Sequence, residues 1–194
     1  MMNNKLLYKD VFKDIDHIIH EKKDIIIVID GKSGSGKSTL AYDLQQHYQA
    51  SLFHMDDFFL QIYQRTPERF NEAGGNVDYE RFYQSVILPL LGHNDVNYQR
   101  FDCSTMTLGK VQTIPYHHIN IIEGTYSLHP YFQDYYDIAI VLDVSADLQK
   151  KRIIKREGLE KWKTFEKRWI PLENYYFQTY NIYQQAHFIL EYEK

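Results

Sequence analysis

The chain has 194 residues, a formal net charge of -4 at pH 7 and a single cysteine, Cys103. This length suits one well-cored domain and is too short for two, and the acidic balance argues against broad binding to nucleic acid, which requires a basic surface. One cysteine excludes an internal disulfide and favours a reducing compartment. No apolar run approaches the length that spans a bilayer, and the start shows no signal-peptide pattern. We therefore expect a cytoplasmic protein that binds neither nucleic acid nor membrane.

The first part of the chain alternates between helix and strand. Apolar residues at helical spacing over 5–22 predict an amphipathic helix. The β-branched run over 24–30 predicts a fully buried strand. A second helix is predicted from Thr39 to about Gln49, and residues 50–55 predict a short second strand.

Between the first strand and the second helix lies a glycine-rich turn that matches the phosphate-loop pattern G-x-x-x-x-G-K-S/T. Glycines let the backbone wrap closely around a phosphate, and the positive end of the following helix faces the anion. Lys37 is expected to reach the β- and γ-phosphates, and Ser38 to bind Mg²⁺. Because strand and helix flank the turn as the motif requires, we prefer a nucleotide site over a chance turn. The expected nucleotide-binding residues are Gly31, Lys32, Ser33, Gly34, Ser35, Gly36, Lys37, Ser38 and Thr39.

The middle of the chain is less regular. Residues 60–77 carry proline and a glycine pair and predict a loop. A helix is predicted from Asp78, its N-cap, to a stop near Gly92. Two short strands, over 96–101 and 110–114, follow with an irregular link between them.

The last part of the chain returns to alternation. Core strands are predicted over 118–124, 137–143 and 186–190, with a basic helix over 146–157 and an aromatic helix over 172–185. Strands that alternate with helices predict a parallel sheet covered on both faces. The expected fold is therefore a three-layer α/β/α domain with a five-stranded, mostly parallel sheet, of the phosphate-loop NTPase class.

Acidic residues follow two of the predicted strands. Asp56 and Asp57 come directly after the second strand, and Glu123 ends the third. Ligands bind outside the carboxyl ends of strands in an open parallel sheet, so these acids should lie beside the phosphate loop. Asp56 is the candidate general base for an acceptor hydroxyl, and Glu123 the candidate ligand of Mg²⁺, directly or through water. A helix cap at the aspartates and an ordinary turn after Glu123 are the structural alternatives.

The basic helix offers two further candidates. Arg152 and Arg156 recur at i, i+4 on one face. An arginine there could stabilise the charge of a phosphoryl group in transfer. The alternative is a solvated basic face.

Taken together, the phosphate loop, Met55-Asp56-Asp57-Phe58-Phe59, Ile121-Ile122-Glu123-Gly124 and the arginine pair resemble the uridine kinase and nicotinamide riboside kinase group of phosphate-loop small-molecule kinases. The resemblance covers most of 24–190. It implies Asp56 as catalytic base, a lid at about 157–168 and an acceptor-binding insertion at about 60–116. It also implies that Glu123 helps to bind Mg²⁺ and that Asp78 binds sugar hydroxyls. The catalytic candidates are Asp56, Lys37, Arg152 and Arg156.

The stretch expected to read the acceptor departs from the family pattern. Uridine kinases place a Tyr-Asp pair and, shortly after, a histidine against the uracil ring, whereas the matching stretch here is Phe101-Asp102-Cys103-Ser104-Thr105-Met106, which holds no histidine. Loss of such a polar contact changes selectivity strongly. The expected acceptor-binding residues are Asp56, Asp57, Phe58, Asp78, Tyr79, Phe101 and Asp102.

These features predict an ATP-dependent kinase that phosphorylates the 5′-hydroxyl of uridine or cytidine. The first alternative keeps the reaction and changes the acceptor to nicotinamide riboside, pantothenate or another small alcohol. The second is a nucleotide-dependent switch or an ATP-binding partner protein, although the Asn-Lys-x-Asp and Asp-x-x-Gly motifs of GTPases are missing. A homo-oligomer is compatible with the sequence, since symmetric oligomers are common, but no stretch identifies an interface.

Overall fold

The computed structural model describes the backbone of residues 8–191 and the side chains of 11–190. Its strands are β1 (Ile25–Gly31), β2 (Ser51–His54), β3 (Val96–Asp102), β4 (Thr107–Ile114), β5 (Ile119–Glu123), β6 (Ile138–Asp143) and β7 (Phe188–Glu191). Its helices are α1 (Tyr8–Glu21), α2 (Lys37–Tyr48), α3 (Pro67–Asn71), α4 (Tyr79–Phe82), α5 (Leu88–Leu91), α6 (Ala146–Glu157), α7 (Leu159–Thr164), α8 (Ile170–Thr179) and α9 (Ile182–Gln185).

Five strands form one sheet in the order β2-β5-β1-β6-β7, and each neighbouring pair is parallel. The expected α/β phosphate-loop fold is confirmed. Successive residues of β1 point to opposite faces of the sheet. Ile25, Ile27 and Ile29 pack against α1 and α2, whereas Ile26 and Val28 belong to the cluster that includes residues of α8. The buried, β-branched strand is thus covered on both faces, as its composition predicts.

Two helical stretches contain a wider, π-helical turn, each just before a proline. Residues Tyr83–Ile87 join α4 to α5 ahead of Pro89, and Phe165–Trp169 join α7 to α8 ahead of Pro171. Proline cannot donate the i→i−4 hydrogen bond, and its ring crowds the carbonyl four residues back. A wider turn relieves that crowding and lets each helix continue.

The structure is more regular than expected in two places. The predicted loop over 60–77 contains α3, which Thr66 caps by accepting the N–H of Arg69 at 3.2 Å. The charged stretch expected to form the lid, 157–168, is largely helical and continues through a π turn into α8. Thr66 and Pro67 could have indicated the start of α3 from the sequence, since both residue types favour a helix N-terminus.

Strands β3 and β4 pair antiparallel as a separate hairpin, with longer strands and a shorter link than predicted. A bulge interrupts their register between Gln99 and Phe101. Gln99 pairs with Val111 and Phe101 with Leu108, so one residue of β3 lies opposite two of β4, and the extra residue belongs to β4. Val96 and Tyr98 are buried before the bulge, and Phe101 is buried after it, which leaves Arg100 exposed. In the range 8–191, no helix combines the length and hydropathy needed to cross a membrane.

Candidate active site

A cavity of about 1000 Å³ opens at the carboxyl edge of the sheet. The ends of β1, β2 and β5 meet there, as expected for ligand sites in open parallel sheets. Predicted residues that line the cavity are Ser33, Gly34, Gly36, Lys37, Ser38, Thr39, Asp56, Glu123, Arg152 and Arg156. Residues that were not predicted as site residues also line it, among them Phe59, Asn76, Arg100, Thr125, Tyr126, Lys161, Phe165, Trp169 and Glu173.

The phosphate loop has the backbone that a phosphate cradle requires. Gly34 and Gly36 have φ values of 77° and 107°, a region that L side chains rarely adopt. A Cβ on Gly31 would lie 2.5 Å from the carbonyl oxygen of Leu142, so only glycine fits there. Helix α2 begins at Lys37, and its first turn, which carries the positive end of the helix dipole, lines the cavity. The loop therefore fits the phosphates of a nucleotide.

Lys37 lies over this loop. Its Nζ donates to the carbonyl oxygen of Lys32 at 3.1 Å and to Oγ1 of Thr125 at 3.2 Å. Lys32 is therefore a backbone contributor, and it lies outside the cavity lining together with Gly31 and Ser35. These three predicted residues shape the loop from behind instead of facing the cavity.

Ser38, Glu123 and His54 form a polar cluster beside the loop. The Ser38 hydroxyl lies 3.3 Å from both carboxylate oxygens of Glu123, and Nδ1 of His54 lies 2.6 Å from Oε1 of Glu123. That hydrogen bond raises the pKa of His54. The sequence analysis did not predict His54 as a site residue. Its position at the end of β2, paired with Glu123 at the end of β5, could have indicated that it lies beside the site.

The same cluster fits a magnesium ion. Within the described residues, no group of three His, Cys, Asp or Glu side chains could hold a metal. Mg²⁺ in nucleotide sites is bound instead by one or two protein oxygens, substrate phosphates and waters. The Ser38 hydroxyl and the Glu123 carboxylate supply oxygens of that kind, and His54 orients the carboxylate.

Asp56 and Asp57 diverge although they are adjacent in a 3-10 turn. The Asp56 carboxyl is accessible from the cavity, and the surrounding walls limit its hydration, which raises its pKa against the opposing charge of Lys37. Asp57 is buried and faces the hairpin. It accepts a hydrogen bond from the Tyr98 hydroxyl at 2.9 Å and pairs with Nε of Arg100 at 3.0 Å. Only Asp56 of this pair faces the cavity.

The two arginines of α6 both line the cavity. Arg152 donates to the carbonyl oxygens of Gly34 and Ser35 at 3.1 and 3.2 Å and so holds the back of the phosphate loop. Arg156 is more exposed, with Nε at 3.0 Å from the carboxylate of Glu157. Arg152 is thus tied to the loop, whereas Arg156 is an exposed cation at the cavity wall.

Helix α8 braces the loop from the other side. The buried carboxylate of Glu173 accepts hydrogen bonds from the backbone N–H of Ser33, at 3.2 Å, and from its hydroxyl. Gln149 donates to the Ser33 carbonyl at 3.0 Å. One turn after Glu173 in α8, the Tyr176 hydroxyl donates to the carboxylate of Asp30 at 2.8 Å, and Asp30 directly precedes the loop. Sequence reasoning missed Glu173 because one acid within an aromatic helix gives no signal of what it faces.

Several predicted acceptor residues lie outside the cavity lining. Phe58 is fully buried in the core because it packs between Phe82 and Tyr98. Phe101 is buried next to the hairpin bulge, and the guanidinium of Arg65 lies over its ring at 5.5 Å from the centroid.

The remaining predicted acceptor residues are engaged in structural contacts. Asp78 is buried, caps α4 through the N–H of Arg81 and pairs with the Arg81 guanidinium at 3.2 Å. Tyr79 stacks on His129 at 4.4 Å between ring centroids. The Asp102 carboxylate accepts from Ser104 within the hairpin turn. Each side chain has a local partner that draws it away from the cavity.

The turn after β5 contributes Thr125 and Tyr126 to the cavity wall. A Cβ on Gly124 would lie 2.6 Å from the Cβ of Met55, so glycine is required for the turn to pass the segment that carries Asp56. Tyr126 has a φ of 78°, which is unusual for a bulky residue and is typical of strained functional sites.

Comparison with known proteins supports the fold. No protein-family model matches the chain, and no curated protein matches it. Among solved structures, the chain is similar to a possible uridine kinase from Bacillus stearothermophilus, with a TM-score of 0.67 and 21% identity over 93% of this chain and 99% of that one. It is also similar to D-glycerate 3-kinase from Cryptococcus neoformans var. grubii serotype A, with a TM-score of 0.60 and 16% identity over 85% and 86% of the two chains. The chain therefore has the phosphate-loop kinase fold that its motifs imply.

Proposed function

We propose that the chain is an ATP-dependent kinase that transfers the γ-phosphate of ATP to a hydroxyl group of a small molecule. The observation that carries this proposal is the meeting of Asp56, Lys37, Ser38 and Glu123 in one cavity. Phosphoryl transfer needs a clamped donor, neutralised charge and an acceptor hydroxyl held in line near a carboxylate. The four residues supply each of these requirements.

The donor end of the cavity would hold the triphosphate. Backbone N–H groups of the phosphate loop and of the α2 N-terminus bind its oxygens, and Lys37, Arg152 and Arg156 add positive charge. Ser38 and Glu123 would hold Mg²⁺, which neutralises charge on the phosphate oxygens during transfer. Glu173 fixes Ser33, so the loop is already shaped before the nucleotide arrives.

Asp56 would act as the general base. Its carboxylate accepts the proton of the attacking hydroxyl as the oxygen bonds to the γ-phosphorus and the bond to the ADP oxygen breaks. The limited hydration that raises its pKa also favours proton transfer, because it increases the basicity of the carboxylate. A positioned base of this kind contributes about 10²- to 10⁴-fold in rate.

Uridine and cytidine, phosphorylated at the 5′-hydroxyl, are the first acceptors to test. Nicotinamide riboside, pantothenate or another small alcohol is the alternative, and one observation favours it. Phe101 and Asp102, the stretch expected to read a nucleobase, lie outside the cavity lining, where Arg100 and Cys103 stand instead.

In this proposal the chain is one cytoplasmic kinase domain that contains an acceptor-binding insertion and a lid. Residues 60–116 form the acceptor-binding insertion, since Asp57 binds the hairpin within it. Residues 157–168 form the lid, since Lys161 and Phe165 reach the cavity from that helical segment.

The test is ADP release from MgATP against uridine, cytidine, nicotinamide riboside, pantothenate and simple polyols. Stimulation by uridine or cytidine supports the nucleoside acceptor, and stimulation by another alcohol alone keeps the reaction and changes the acceptor. Nucleotide binding without stimulation by any acceptor would refute the kinase and leave a nucleotide-dependent switch or partner protein.

A further inference from the structure

Hairpin β3–β4 contributes one cation to the cavity wall, Arg100. On the basis of the kinase function above, we propose that the acceptor carries an anionic oxygen group, a carboxylate or a phosphate, and that Arg100 binds it. Arg100 is then a specificity-determining residue for the acceptor.

Arg100 is anchored along one edge. Its Nε lies 3.0 Å from Oδ1 of Asp57, whose carboxylate is itself fixed by the Tyr98 hydroxyl at 2.9 Å. The Arg100 side chain is 71% exposed, and among the described residues its two terminal nitrogens have no hydrogen-bond partner. The anchor reduces the entropy lost on binding. The remaining edge of the guanidinium matches the two oxygens of a carboxylate or phosphate.

The position of Arg100 separates it from the cations of the nucleotide end. Lys37 belongs to the phosphate loop, and Arg152 and Arg156 belong to α6, which contacts that loop. Arg100 comes from the hairpin and pairs with Asp57, the neighbour of the proposed base. It therefore stands on the acceptor side of the base.

The other groups on that side suit hydroxyls. Asn76 and Tyr126 line the cavity, and both are buried. Both can donate to and accept from hydroxyl groups. A hydroxylated anion, such as a sugar acid or a sugar phosphate, would use these residues together with Arg100.

The test compares neutral acceptors with related acceptors that carry a carboxylate or a phosphate. We would measure kcat/KM for glycerol, D-glycerate and glycerol 3-phosphate, for ribose, ribonate and ribose 5-phosphate, and for pantothenol and pantothenate, with uridine and cytidine alongside. The expected result is at least about a tenfold preference for an anionic member over its neutral partner, because a hydrogen-bonded charge pair is lost in the neutral one. The carboxylate and phosphate arms identify which anion is bound.

Variants then assign the preference to Arg100. Arg100→Gln should lower kcat/KM for the anionic acceptor about 10- to 100-fold, with little change for its neutral partner and an unchanged KM for ATP. For Arg100→Lys, kcat/KM for the anionic acceptor should lie between those of wild type and Arg100→Gln, since lysine keeps the charge and loses the paired N–H donors of the guanidinium. Arg65→Gln is the matched control, because Arg65 lies over Phe101 outside the cavity lining.

The outcomes separate the two proposals. A preference for neutral acceptors, an equal loss for charged and neutral acceptors in Arg100→Gln, or a raised KM for ATP would overturn the role of Arg100 and leave the kinase intact. If no acceptor stimulates ADP release, the kinase proposal fails and this one fails with it. Thermal melting checks that Arg100→Gln is folded; if it is not, the selectivity of Arg100→Lys decides.

Discussion

The two ends of the cavity are built from different kinds of contact. At the phosphate end, one contiguous turn between β1 and α2 shapes the site, and sheet register adds Glu123. At the proposed acceptor end, Asn76, Arg100 and Tyr126 come from three separate segments, and Arg100 is held by its ion pair with Asp57. Changes at the phosphate end should therefore impair the reaction itself, whereas changes at the acceptor end should mainly alter which molecule reacts.

The largest effect is expected at Asp56. Asp56→Asn removes the proposed base and should lower kcat by at least about 100-fold while ATP affinity is retained. The adjacent change Asp57→Asn is the control: it disturbs Arg100 and should raise the KM for the acceptor more than it lowers kcat. Steady-state kinetics and nucleotide titration measure both variants. A kcat within a few-fold of wild type would remove Asp56 from the role of base.

Lys37→Ala should have the next largest effect. The change removes the cation that lies over the phosphate loop, so ATP affinity and kcat should fall together, each by about tenfold or more. Lys32→Ala leaves the backbone carbonyl that Lys37 contacts and should be nearly silent. Unchanged ATP binding in Lys37→Ala, by calorimetry, would contradict the phosphate-loop assignment.

Glu173 tests whether the loop is preorganised. Glu173→Ala frees the N–H and hydroxyl of Ser33 and should weaken ATP binding about tenfold. Glu173→Gln, which can still accept a hydrogen bond, should recover most of that affinity. Glu166→Ala removes an exposed acid from the π turn that leads into the same helix and serves as the control. Tighter ATP binding in Glu173→Ala would show that the carboxylate competes with phosphate.

The smallest effect on catalysis is expected at His129, which should instead affect stability. Burial lowers the pKa of His129 to about 4, and the charge of Arg69 acts in the same direction. In the unfolded chain, the His129 ring takes up a proton near the ordinary histidine pKa of about 6.5. Above that pH the ring is neutral in both states, so its protonation does not reduce the stability of the folded chain. The free energy of unfolding should therefore fall by about 3 kcal/mol as the pH falls from 6.5 to 4. Urea unfolding of His129→Phe should show a correspondingly flatter pH dependence, and a parallel dependence would contradict the lowered pKa.

The phosphate end could be predicted from sequence because its contacts are local or set by the sheet. A complete motif fixes the loop around Lys37, and the strand-end rule brings Asp56 and Glu123 beside it. His54 was within reach of the same argument, since its partner follows from the parallel register of β2 and β5.

The acceptor end could not be predicted in this way. Beside the bulge, where two residues of β4 lie opposite Arg100, the burial of β3 departs from strict alternation, since Tyr98 and Phe101 are buried and Arg100 is exposed. No residue pattern predicts this. The divergence of Asp56 from Asp57 depends on Tyr98, which lies in that same hairpin. Glu173 reaches Ser33 across 140 residues of sequence, a contact that only tertiary packing creates.

The single cysteine of the chain allows a thiol-reactive dye to be attached in this cavity. Cys103 is exposed, lines the cavity and lies on the hairpin that carries Arg100. Its partly shielded position raises its pKa, so a maleimide dye would couple best at mildly alkaline pH. Because the chain contains one cysteine, the dye would attach at a single place, and a change in its emission on adding an acceptor would test whether the proposed acceptors bind in this cavity, independently of turnover.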